Sequence, residues 1–123
     1  MHRSRLAGFN IDCQTDDLQE AADCWSAALG YERVATAGDN YDGLQTPDGD
    51  PYLEVQAVDH ESRIHLDIEA DDVEAEVGRL EALGAKRLAA VESWVVMQAP
   101  TGQRFCVIRR GHKDFDETAN RWD

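Results

Sequence analysis

Basic residues are scarce in this chain. Twelve Lys and Arg stand against 25 Asp and Glu, a net charge of −13. Nucleic-acid binding depends on cations that displace counterions from phosphate. With no basic run in the sequence, DNA, RNA and anionic membrane surfaces are excluded as partners. The acid excess is read as a solvated surface, with a cationic partner as the functional alternative. Cysteines number three, Cys13, Cys24 and Cys106, with no CxxC pair, so neither a disulfide frame nor a zinc knuckle is expected. No apolar run approaches the roughly 20 residues of a membrane helix. The opening MHRSRLAGFNIDC lacks the apolar centre of a secretion signal, so cytoplasm is the expected compartment. GxSxG, Walker A and dinucleotide fingerprints are all missing, which leaves hydride transfer and nucleotide hydrolysis unsupported.

What is present is a repeat. Within 123 residues, Asp12, Asp16 and Asp17 match Asp67, Asp71 and Asp72 at a spacing of 55. Leu29-Gly30 matches Leu83-Gly84 at 54, and Gln45-Thr-Pro-Asp-Gly49 matches Gln98-Ala-Pro-Thr-Gly102 at 53. Three blocks in one order imply tandem duplication. Each copy reads strand, helix, strands. Phe9–Gln14 and Ile64–Glu69 alternate apolar and polar residues, the period of a half-buried strand. Asp16 and Asp71 are expected to cap the helices, with the following Asp adding charge at the positive end of the dipole. Leu18, Ala22, Trp25 and Leu29 share one helix face; Val73, Val77, Leu80 and Gly84 share the other. Gly30 and Gly84 are expected as left-handed stops. Gly78, inside the second helix, either permits close packing or is simply tolerated. A strand led by Tyr31-Glu-Arg-Val34 or Ala85-Lys-Arg-Leu88 follows, then a hairpin near 40–46 and 52–58, or 94–98 and 104–109. The fold class is therefore α+β: one domain over residues 1–110, with βαβββ units at 6–59 and 62–110. Residues 111–123 are read as a tail with one short helix.

Alternation also sorts the strand faces. Phe9, Ile11, Cys13, Ile64, Leu66 and Ile68 are expected to meet the helices. Asn10, Asp12, Gln14, His65, Asp67 and Glu69 point the other way, as do Glu54 and Gln56 opposite Leu53 and Val55. Phe105 and Val107 alternate with Cys106 and Ile108. A sheet covered on one face can leave the second wet. Against that bland reading, the polar set is His, Asn, Asp, Gln and Glu at mid-strand, a mixture suited to ligand contact. His2, His60 and His112 are expected to face solvent. Tyr41 and Trp94, at the starts of hairpin strands, are read as core or rim, or as aromatic walls of a pocket.

The paired βαβββ units, the Leu-Gly helix ends, Arg63-Ile-His-Leu-Asp67, the Pro-x-Gly turns and Phe105-Cys-Val107 resemble the vicinal oxygen chelate superfamily. Within it they resemble the glyoxalase-like, bleomycin-resistance-type domains, over residues 6–110. The resemblance implies a curved mixed sheet with helices on its outer face, a small-molecule ligand in its cup, and a homodimer. Metal-using members place ligands on the first and last strands of each unit. Carried onto this chain, those positions are Asn10 and His65 on the first strands, Glu54 or Gln56 on one last strand, and Cys106 on the other. His65 and Glu54 are the expected catalytic residues and the candidate holders of a divalent metal. Asn10, Asp12, Gln56, Asp67 and Cys106 are the expected ligand contacts. The implied function is an enzyme acting on a small oxygenated organic molecule; the alternative is a metal-free, antibiotic-sequestering type of binding protein.

Overall fold

The computed structural model describes residues 1–34 and 40–123; residues 35–39 of the first βαβββ unit, expected over 6–59, lie outside them. The described residues form two compact units, one of Gly8–His65 and one of Met1–Ala7 with Leu66–Asp123. The strand β1 (His2–Gln14) contributes to both, as does β5 (Arg63–Ala70).

The Gly8–His65 unit holds α1 (Leu18–Leu29), β2 (Arg33–Val34), β3 (Tyr41–Leu44) and β4 (Tyr52–Val58). Its strands run in the order β2-β3-β4-β1. The hairpin pairs are antiparallel, whereas β4 lies parallel to β1. Val55 and Leu44 pack with Ala22 of α1, flanked by Cys13, Leu18, Trp25 and Leu53. This is the apolar side that the alternation predicts. Leu29, expected on the inner face of α1, is 42% exposed. It sits in the last turn, beside Gly30, whose φ of 75° ends the helix.

The second unit repeats the plan. After β5 come α2 (Val73–Ala82), β6 (Lys86–Val91), β7 (Trp94–Gln98) and β8 (Arg104–Arg109). The order is β5-β8-β7-β6, again with a parallel pair between the first and last strands. Val77 and Leu80 of α2 pack on Ala70, Val95, Met97, Phe105 and Val107. Beyond β8, α3 (Phe115–Thr118) buries Phe115, and β9 (Asn120–Trp122) pairs antiparallel with His2–Ser4 of β1.

Two expectations change here. The helices are capped by the second aspartate of each pair: Asp17 accepts from the Glu20 backbone N–H and Asp72 from that of Ala75, both at 3.0 Å. An N-cap side chain must reach the N–H three residues on, and the helices begin one residue later than the pattern implies. Asp71, relieved of that task, accepts from the Arg3 backbone at 2.8 Å. Ile64 and Leu66, expected under the helical layer, are 62% and 41% exposed. The apolar core of the second unit takes up β5 from Ile68 onward, so the start of the strand runs beyond it.

Two glutamates of the second unit are almost fully buried. Glu76 of α2 accepts from His2 Nε2 at 2.8 Å, Ser4 Oγ at 2.7 Å and Arg79 at 2.9 and 2.8 Å. The Arg79 guanidinium lies 3.8 Å from the centre of the Trp122 ring, and Trp122 Nε1 donates to Ser4 Oγ at 2.9 Å. Glu69 of β5 accepts from the Gly111 and His112 backbone N–H groups and from His112 Nδ1. His2 is therefore buried and His112 half-buried, not solvent-facing. Both are drawn in because a buried carboxylate requires donors on both oxygens.

Candidate functional site

Register decides which polar side chains are neighbours. On the face of the Gly8–His65 unit away from α1, Asn10 pairs with Glu54 and Asp12 with Gln56. Tyr41 pairs with Gln56 across the hairpin and Gly43 with Glu54. Asn10 and Asp12 are buried, at 5% and 3% exposure. Cross-strand partners share a face, so the predicted grouping of Asn10, Asp12, Glu54 and Gln56 is present on one surface.

His65, at the end of this unit, completes the group. Its Nδ1 lies 2.7 Å from Asp12 Oδ2. A carboxylate can only accept, so the Nδ1 proton is directed at it. The imidazole is 13% exposed and the carboxylate 2%. Arg63 Nε sits 3.8 Å from the same oxygen, a more distant positive charge. Asp12 Oδ1 is buried and has no hydrogen-bond partner among the described residues.

In the second unit Asp67 and Cys106 are register partners on β5 and β8, on the face turned from α2. Asp67 is buried and Cys106 half-buried, and their ligand atoms lie within 4.8 Å of each other. Asp12 pairs with Gln56 just as Asp67 pairs with Cys106. Gln56, not Glu54, thus holds the strand position equivalent to Cys106. The sequence leaves these two open because Gln56 stands seven residues beyond Gly49 but Cys106 only four beyond Gly102.

That equivalence bears on the metal the resemblance implies. The corresponding positions carry an imidazole (His65), two neutral amides (Asn10 and Gln56) and a thiol (Cys106). Amide oxygens are weak donors, and a catalytic divalent ion commonly keeps three stronger protein ligands and an open place. Within the Gly8–His65 unit His65 is the one strong donor at those positions, beside the amides of Asn10 and Gln56. What the arrangement offers is proton transfer. A carboxylate at Nδ1 fixes the ring's orientation and tautomer.

Sequence reasoning placed Asp12 among ligand contacts but did not pair it with His65. It also missed the carboxylate-bound state of His2 and His112. The signal available was the polar parity of each strand; the partner depends on register.

Comparisons with known proteins agree with this architecture. Residues 9–108 match the sequence pattern of the glyoxalase-like domain. Methylmalonyl-CoA epimerase from Mycobacterium tuberculosis superposes with a TM-score of 0.64 at 17% identity, over 88% of this chain and 89% of that one. A hypothetical protein from Bacillus halodurans gives 0.61 at 10% identity, over 89% and 96%. A Streptomyces coelicolor methylmalonyl-CoA epimerase variant bound to 2-nitronate-propionyl-CoA gives 0.54 at 14%, over 87% and 97%. A search of the curated proteins finds no match. At these identities the structures are similar in fold alone.

Proposed function

The chain belongs to the glyoxalase-like domain family, and from that premise we propose that it is an enzyme moving a proton on a small oxygenated organic molecule, with His65 as the base. The single observation supporting this reading is the 2.7 Å hydrogen bond that ties His65 Nδ1 to the buried Asp12. A base so oriented can take a proton from a carbon beside a carbonyl and return it, the elementary step of isomerisation or epimerisation. Glu54 is the second proton-transfer residue in this proposal, and Asn10, Asp12 and Gln56 of the same unit line the ligand. The working form is proposed to be a homodimer, which sedimentation equilibrium tests.

The experiment is hydrogen exchange. Wild-type protein is incubated in D₂O with a panel of α-hydroxy and α-keto carbonyl compounds, and loss of the C–H signal is followed by proton NMR. Acceleration at the carbon beside the carbonyl is expected, falling about 10²–10⁴-fold in His65→Gln. Exchange indifferent to that substitution overturns the reading.

A second reading is favoured by the charge of −13: a metal-free binding protein for a cationic ligand, drawn to the carboxylates of Asp12 and Glu54. Saturable binding of an aromatic amine, with no exchange on any carbonyl compound, is the result that selects it.

A further inference from the structure

We propose that Asp12 is the positioning residue of His65, holding its imidazole with the proton on Nδ1 so that Nε2 is the basic nitrogen. The inference deepens the proton-transfer reading above and rests on it for its functional meaning. Its geometry, however, is tested independently.

Three observations carry it. First, the pairing is close and screened from water: 2.7 Å between Nδ1 and Oδ2, with the carboxylate 2% exposed. Second, the competing cation is further off, Arg63 Nε standing 3.8 Å from Oδ2. The imidazole therefore makes the short contact. Third, Asp12 is a poor structural carboxylate. Glu76 accepts on both oxygens from His2, Ser4 and Arg79, and Glu69 accepts on both from Gly111 and His112. Asp12 Oδ1 is the one buried side-chain oxygen or nitrogen among the described residues with no partner. A buried carboxylate placed for stability collects donors on both sides. One that keeps an oxygen unsatisfied at a cost to the fold, while aiming the other at a histidine, has its role in that histidine.

Glu54, the other acid of this unit's polar face, is the register partner of Asn10 on β4. The sequence separation of Asp12 and His65, 53 residues, conceals a contact that only strand pairing reveals.

The test is the tautomer itself, read from two-bond ¹H–¹⁵N couplings of the His65 ring at a pH where the imidazole is neutral. Wild type is expected to show the Nδ1–H form. In Asp12→Asn the amide nitrogen can donate to Nδ1, moving the proton to Nε2, the logic by which an Asp-to-Asn change disarms a catalytic histidine. Asp12→Ala is expected to lose the preference for Nδ1–H. A wild-type ring in the Nε2–H form overturns the proposal without any variant being made. So does a tautomer unchanged in both variants when the backbone amide spectrum shows an intact fold. The two readings separate cleanly. A tautomer that follows Asp12, with carbonyl exchange indifferent to His65→Gln, keeps the positioning role and removes the proton-transfer function. The reverse result keeps the function and assigns the orientation elsewhere.

Discussion

Replacing Gly78 by alanine should stabilise the protein by about 0.5–1 kcal/mol, read as a rise in Tm. The residue sits inside α2, and a Cβ built there meets nothing within 4 Å. Of the two roles open from sequence, close packing and tolerance, the second therefore holds. The gain is the helical and unfolded-state advantage of Ala over Gly. Gly8→Ala should do the opposite, costing about 1–3 kcal/mol, because its Cβ would lie 2.3 Å from the Tyr52 ring, its register partner on β4. A fall in Tm no larger than that of an exposed control substitution would refute this. Glu76 adds a pH dependence. Burial raises its pKa, but the hydrogen bonds from Arg79, His2 and Ser4 outweigh that and hold the carboxyl below its ordinary value of 4.5. A group depressed in the folded state stabilises fully above its unfolded pKa and loses that contribution as pH falls through the folded one. Acid titration of stability should thus show a loss below about pH 4.5 that is smaller in Glu76→Gln, measured as the denaturation midpoint at pH 7 and pH 3.

Elements were legible where the period was strong and the caps were local. The two long helices and both hairpins follow from alternation, helix stripes and Gly stops, whereas the parallel pairing of the first and last strands in each repeat is a finding of the structure. The chain ends were not. Phe115 and Trp122 lie in a segment without a period; Phe115 is held by the guanidinium groups of Arg3 and Arg110, and Trp122 by Arg79 stacking and the Ser4 hydrogen bond. Neither is visible until α2, β1 and β9 are brought together. Trp122→Ala should therefore weaken the fold by on the order of 1–2 kcal/mol, the combined scale of a desolvated cation–π contact and one hydrogen bond. The expected signature is local: faster amide exchange in His2–Ser4, which β9 pairs, with the Gly8–His65 unit unaffected. Uniform exchange across both units would show that β9 does not act as a separate clasp. Asp17 and Asp72 make the same point at smaller scale. Composition names an aspartate cap, but whether the first or second of a pair caps depends on where the preceding strand releases the chain.

Across the whole molecule, the sequence disclosed the family and the polar face, while strand register disclosed the site. Asn10, Asp12, Glu54, Gln56 and His65 were on the correct face by parity alone. That Asp12 meets His65, and that Gln56 takes the place equivalent to Cys106, required the pairing of strands far apart in sequence. Net charge then bears on which ligands this chain admits. A coenzyme A ester carries several phosphate charges, and a protein with 25 acidic and 12 basic residues offers such a polyanion an unfavourable field. Methylmalonyl-CoA is therefore expected to give no thermal shift at low ionic strength, where repulsion is least screened. A rise in Tm there with an aromatic amine of similar concentration would count for the binding-protein reading. That rise should shrink as salt shortens the screening length from about 30 Å at 0.01 M to about 3 Å at 1 M. A salt-insensitive shift with the thioester would mean that local side chains, not the overall field, choose the ligand.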